Sequence, residues 1–258
     1  MKLFFRQFGT GEPVIILHGI FGSSDNWVTI GRRLGEHFSV FIPDQRNHGH
    51  SPHSPALNYY ALVEDLREFI EEHALKNPVL IGHSMGGKVA MGFALDLPVL
   101  VKKLVIIDIS PQSNAIRQEH LTILQAMRAV DPENVTSRQA AEDELNKWPL
   151  SGRIRQFMLK NLQRTGPGRF EWRINLKAIE DNLELIFGPI PFTGQYPGPV
   201  LVIQGGDSDY IATADRGIFS TYFPNVGFIT IPGASHWING DKPDELTNVL
   251  RDYLSGTE

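Results

Sequence analysis

A mostly parallel central β-sheet flanked by helices, with a helical cap inserted between two strands, is the fold class this sequence predicts. Three observations carry that expectation. Short apolar runs without alternation recur at 14–17, 39–42, 79–81, 103–107 and 200–203. Each leads into a turn rich in Gly, His or Asp, and most turns lead into a helix-like stretch. Such runs suit strands buried on both faces, and strand–helix alternation implies right-handed crossovers. Lastly, the alternation stops between 112 and 197, where the chain is more polar and helical in pattern. The expected units are therefore a core of 1–111 and 198–258 and a cap of 112–197.

The chain in order supports this layout. Residues 3–8 are a candidate edge strand, closed by the turn Gly9-Thr10-Gly11. The strand at 14–17 ends in His18-Gly19-Ile20-Phe21-Gly22-Ser23, and 27–37 reads as a helix. The strand at 39–42 runs into a long turn, Pro43 to Pro52. In 59–73, Leu62, Leu66, Phe69 and Ile70 recur near helical spacing. A strand at 79–81, an elbow and a helix at 88–95 follow, then a strand at 103–107 ending in Asp108-Ile109-Ser110-Pro111. Cap helices are expected over 117–130, 137–148, 152–163 and 176–187, punctuated by Pro132, Pro149, Gly166-Pro167-Gly168 and Gly188-Pro189. The core resumes with a strand at 200–203, a helix at 213–222, a strand at 227–231 and a helix at 243–254.

The elbow Gly82-His83-Ser84-Met85-Gly86 places a serine between a buried strand and a helix, the context in which Gly-x-Ser-x-Gly exposes a nucleophile. The same stretch approaches a phosphate loop, but Val89 stands where Ser or Thr must hold Mg²⁺. A serine hydroxyl needs an adjacent base. Of nine histidines, His236 lies in the loop after the last strand, where the chain order Ser…Asp…His puts that base. His83 reads as packing, and His18 as ordering its own loop. His48, His50 and His53 lack an accompanying carboxylate pattern, so neither metal nor other cofactor is expected.

The orienting acid stays open between two residues. Asp108, at the end of the strand before the cap, is preferred, and Asp209 is the alternative. Counting from Gly205, the position usual for the acid is Ser208. Backbone N–H groups of Met85 and Ile20, with Phe21 as an alternative to Ile20, are the expected oxyanion donors. Parallel sheets gather reactive groups beyond the C-terminal ends of their strands, and His18, Asp44, Ser84 and Asp108 all fall there.

Composition bounds the partners. The chain has 258 residues, 41% hydrophobic and 21% charged, enough for one large core. A net charge of −5 gives no footprint for nucleic acid or an anionic membrane, and no cysteine is present for disulfides. No apolar window is long enough to span a bilayer, and the N-terminus turns polar too soon for a signal peptide. A cytoplasmic location is expected; oligomeric state leaves no readable trace.

With these residues in view, the chain resembles an α/β-hydrolase over nearly its full length. More narrowly, it is similar to small bacterial carboxylesterases and acyl-thioester hydrolases related to mitochondrial abhydrolase-domain proteins. The stretches that carry this are Leu17-His18-Gly19-Ile20-Phe21-Gly22-Ser23, Arg46-Asn47-His48-Gly49-His50-Ser51-Pro52 and the serine elbow through Lys88. Asp108-Ile109-Ser110-Pro111, Trp172-Arg173-Ile174-Asn175, Gly205-Gly206-Asp207-Ser208 and His236-Trp237 add to them. The resemblance implies a triad of Ser84, Asp108 and His236, with Ser208 near the histidine, and fewer edge strands than the superfamily usually has. It implies a serine hydrolase of small acyl esters or thioesters. Carbon–carbon bond hydrolysis, cofactor-free perhydrolysis and a non-enzymatic ligand receptor are the alternatives on the same scaffold. Phe21, Trp172 and Trp237 are the expected substrate contacts. The cap residues Leu124, Met127, Phe157, Met158, Phe170 and Phe187 either line an acyl pocket or pack the cap.

Overall fold

The computed structural model describes residues 1–256. In chain order the core begins with β1 (Phe5–Phe8), β2 (Pro13–Leu17), α1 (Val28–Leu34), β3 (Ser39–Pro43), α2 (Tyr59–Glu72), β4 (Val79–His83), α3 (Met85–Asp96) and β5 (Leu104–Ile107). Then come α4 (Gln118–Ala129), α5 (Arg138–Leu145), α6 (Gly152–Leu159), β6 (Leu162–Gly166), β7 (Arg169–Trp172), α7 (Leu176–Asp181) and α8 (Leu183–Phe187). The core resumes with β8 (Val200–Gly205), α9 (Asp215–Tyr222), β9 (Val226–Ile231), α10 (Ile238–Asp241) and α11 (Pro243–Ser255).

Seven strands form the main sheet in the order β1-β3-β2-β4-β5-β8-β9. Only β1 is antiparallel to its neighbour; the other pairings are parallel. The lack of alternation in the strands has a direct cause. Successive side chains point to opposite faces, and both faces are covered. Ile15 and Leu17 join the cluster beneath α2, α3 and the inserted segment, while Val14 and Ile16 join the cluster beneath α1 and α11. Helix α3 is buried along almost its whole length, which explains its small residues: a Cβ on Gly92 would stand 2.6 Å from the ring of Phe192.

The segment between β5 and β8 departs from the expected run of helices. Helix α6 stops at Leu159, and β6 and β7 form an antiparallel hairpin around Gly166-Pro167-Gly168. The signal was present as alternation: Phe170 and Trp172 face inward between the exposed Arg169 and Glu171. The helix expected over 176–187 is two helices, broken at Asn182, whose side chain turns back to the Ala178 carbonyl at 2.8 Å.

The stems of this segment are tied together. Asn114 N–H donates to the Phe187 carbonyl at 2.8 Å and Ile190 N–H to the Pro111 carbonyl at 2.9 Å. Between the stems lies Lys88, one turn into α3 and 1% exposed. Its ammonium donates to the carbonyls of Gln112 (2.7 Å) and Gly188 (2.5 Å), one on each stem. Burial lowers its pKa to about 7.

Candidate active site

Ser84 sits at the tip of the β4–α3 turn with φ 52° and ψ −121°, a conformation that costs a non-glycine residue on the order of 1–3 kcal/mol. The flanking glycines make the turn possible. A Cβ on Gly82 would lie 2.2 Å from the Gly86 carbonyl oxygen, and one on Gly86 would lie 2.4 Å from that of Leu17. Ser84 is also the residue before the first turn of α3, whose leading N–H groups have no acceptor within the helix. The elbow therefore presents a hydroxyl and a positive helix end at one point.

Two other residues at the site also adopt positive φ: Phe21 (62°) in the turn after β2 and Asp108 (51°) after β5. Half of the six positive-φ non-glycine residues among the described residues thus lie where strand ends deliver the site's side chains. Asp108 is fully buried. Its Oδ1 accepts from Gly205 N–H at 2.9 Å, and its Oδ2 accepts from the Ser208 hydroxyl and from His236 Nδ1 at 2.8 Å. The close approach of the β8 end to the histidine loop depends on Gly205, where a Cβ would stand 2.5 Å from the Ala234 carbonyl oxygen.

Of the two aspartates considered from the sequence, Asp108 is the one that reaches His236. Asp209 points outward and pairs with Arg117 at 2.6 Å. With Nδ1 hydrogen-bonded to a carboxylate, the imidazole carries its proton there and turns Nε2 away as an acceptor. His236 and Ser84 line the same small cavity with Gly19, Ile20 and Phe21, a volume of ≈ 10 Å³ that is about the room of one water. The Ile20 and Met85 backbones thus flank the nucleophile from two elements.

The remaining histidines take supporting places. His18 joins Gly19 O through Nδ1 and Gln45 N through Nε2, each at 2.9 Å, which pins the turn after β2. His83 Nε2 holds the His236 carbonyl at 2.9 Å. Burial lowers the pKa of His18 to about 4 and of His48 and His83 to about 3, so all three are neutral at pH 7.

Trp237 borders the small cavity and two larger clefts. One, of ≈ 320 Å³, runs between Ile20, Trp27, Ile154 and Phe157. The other, of ≈ 570 Å³, lies beside His236 and carries Arg117, Arg153, Asp207 and Tyr210. Phe157 meets Trp237 edge-on at 4.5 Å between ring centres. Phe21 borders the small cavity, but Trp172 turns elsewhere: its indole N–H reaches the Val130 carbonyl at 3.4 Å, and it packs on the main core. Three neighbours of the site escape sequence reasoning. Asn161 donates to the Phe21 carbonyl at 2.8 Å, and Tyr210 and His120 join beside His236. Each comes from a different loop or helix, and no motif marks them.

Comparison with known proteins identifies the fold and the family. A family profile described as the alpha/beta hydrolase fold matches residues 12–243. The sn-1-specific diacylglycerol lipase ABHD11 of Danio rerio is 40% identical over 252 residues, covering 95% of this chain and 79% of that protein. Esterase YbfF of Escherichia coli K12 is 34% identical, covering 95% and 93%. The solved structure of a marine microorganism esterase superposes with a TM-score of 0.94 at 38% identity, covering 98% of this chain and 99% of the other. The chain belongs to the α/β-hydrolase family and is a hydrolase of its esterase branch, related to abhydrolase-domain proteins. Among the described residues, no helix is long and apolar enough to cross a membrane.

Proposed function

We propose that the protein is a serine esterase that cleaves small acyl esters or thioesters through an acyl-Ser84 intermediate. The observation that carries this reading is the Asp108–His236 hydrogen bond of 2.8 Å beside the cavity shared by His236 and the strained Ser84. His236 Nε2 takes the Ser84 proton as the oxygen attacks the acyl carbonyl. Negative charge then develops on the carbonyl oxygen, and the N–H groups of Ile20 and Met85 stabilise it. His236 returns its proton to the departing alcohol or thiol. Water, activated by the same nitrogen, releases the acid and restores Ser84. Asp108 holds the imidazole in the working tautomer throughout, and Ser208 and Gly205 fix Asp108.

The division into a core of 1–111 and 198–258 and a cap of 112–197 belongs to this proposal, with the cap selecting the acyl group. Phe157 and Trp237, not Trp172, stand where an acyl chain would pass. The Danio rerio relative's name makes a diacylglycerol a substrate worth testing beside short esters. A cofactor-free, cytoplasmic enzyme completes the reading.

The test is direct. Ser84→Ala should remove hydrolysis of p-nitrophenyl acetate by about 10⁵-fold or more and abolish labelling by a fluorophosphonate probe, with unfolding unchanged. A mutant that labels fully would overturn the assignment.

A further inference from the structure

Tyr210 covers one face of the His236 imidazole. The rings are stacked, with centres 3.5 Å apart and planes within 9°. Tyr210 itself is held at three points by the first stretch after β5. Asn114 Nδ2 donates to its carbonyl at 3.1 Å. The Arg117 guanidinium lies over its ring at 4.1 Å from the centre. His120 Nε2 meets its hydroxyl at 2.9 Å.

The protons in this contact follow from its neighbours. Arg117 N–H donates to His120 Nδ1 at 3.1 Å, so Nδ1 is an acceptor. Burial lowers the His120 pKa to about 4, so the ring is neutral at pH 7 and carries its one proton on Nε2. His120 therefore donates to Tyr210 and anchors the hydroxyl end of the ring. Asp209, exposed on the same loop, holds Arg117 from outside at 2.6 Å.

We infer that Tyr210 is a positioning residue for His236, and that Asn114, Arg117 and His120 act through it to couple the seating of the inserted segment to the base. The inference rests on the proposed role of His236. During the reaction His236 passes from neutral to imidazolium, and an aromatic face against it favours the charged form. A ring held over its plane by Arg117 and at its hydroxyl by His120, on a backbone held by Asn114, also limits the imidazole's freedom to tilt, so Nε2 is aimed before substrate arrives. The inserted segment then sets turnover as well as substrate choice.

The test is steady-state kinetics on p-nitrophenyl acetate, whose acyl group is too small to need much of the clefts. Tyr210→Leu should lower kcat about tenfold with KM within about twofold, and Tyr210→Phe, which keeps the stack, should restore kcat to within about threefold. Arg117→Met should lower kcat about threefold and should add nothing to Tyr210→Leu, because it acts through the ring. An unchanged kcat in Tyr210→Leu, or losses that multiply in the double mutant, would overturn the inference. If Tyr210→Leu does not fold, Arg117→Met decides alone: unchanged kcat rejects the coupling. Ser84→Ala in the same assay separates the two levels, since activity there would remove the nucleophile reading and not merely the role of Tyr210.

Discussion

The two halves of the site are built differently. The elbow is made mostly by neighbours in the chain: Gly82, Ser84 and Gly86 shape it, Gly82 is confined by Gly86 and Gly87, and only Gly86 is confined from elsewhere, by Leu17 and His18 at the end of β2. The acid–base half is assembled from residues far apart. His236 and Asp108 are separated by 128 positions, Ser208 and Asp108 by 100, and Tyr210 and His120 by 90. A local turn is dictated by backbone sterics, so its residues are nearly forced. A hydrogen-bonded cluster drawn from three loops and helix α4 depends on register, loop length and what packs behind each loop.

That difference predicts how each half fails. Asp108→Asn should break the distant half at its centre, lowering kcat on the order of 10⁴-fold while the fold persists, because the amide mispairs with His236 Nδ1. Asp209→Asn, measured alongside, should cost less than about threefold, since an exposed ion pair is worth little. The reverse ranking would place the acid on the wrong loop.

Gly86→Ala attacks the local half and should act on stability as well as rate. Its Cβ would meet three backbone atoms of Leu17 and His18 within 2.7 Å, and backbone cannot swing away as a side chain can. A loss of about 3 kcal/mol in urea unfolding is expected, with activity lost in parallel. A stable, active Gly86→Ala protein would show that the elbow tolerates a shift that its packing forbids.

Lys88 links the elbow's helix to the inserted segment, since it reaches from α3 to hold both of that segment's stems. Its pKa, about 7 when folded, lies well below the ordinary lysine value near 10.4. Between those two values the unfolded chain binds more protons, so stability should rise with pH through that window, by at most about 1.4 kcal/mol per pH unit from this group. Below the folded value the contribution levels off. In Lys88→Met the rise between pH 7 and 10 should flatten, as followed by urea midpoints at a series of pH values. An identical slope in mutant and wild type would mean that Lys88 titrates as an exposed lysine does.

Legibility followed the same division. The parallel strands could be read because burial on both faces leaves no room for alternation, and the runs at 14–17 and 200–203 match β2 and β8 to within a residue or two. The hairpin β6–β7 was missed because its alternation spans only four or five residues and follows directly on α6. Trp172 was expected among the substrate contacts; its indole N–H meets the Val130 carbonyl, and its ring packs on the main core. Arg117, His120 and Tyr210 had no motif to announce them.

Ser84 could be read from its own stretch because much of the constraint is local: Gly82 is confined by Gly86 and Gly87 of the same turn, though Gly86 is confined by the end of β2. That stretch still presents its hydroxyl where β4 ends and α3 begins. The sequence favoured Asp108 without excluding Asp209; that Asp108 meets His236 and that Tyr210 covers it are facts of the tertiary packing. Hydrogen bonds and ring contacts between distant loops depend on distances of a few ångströms, and residue spacing along a chain carries no such distances.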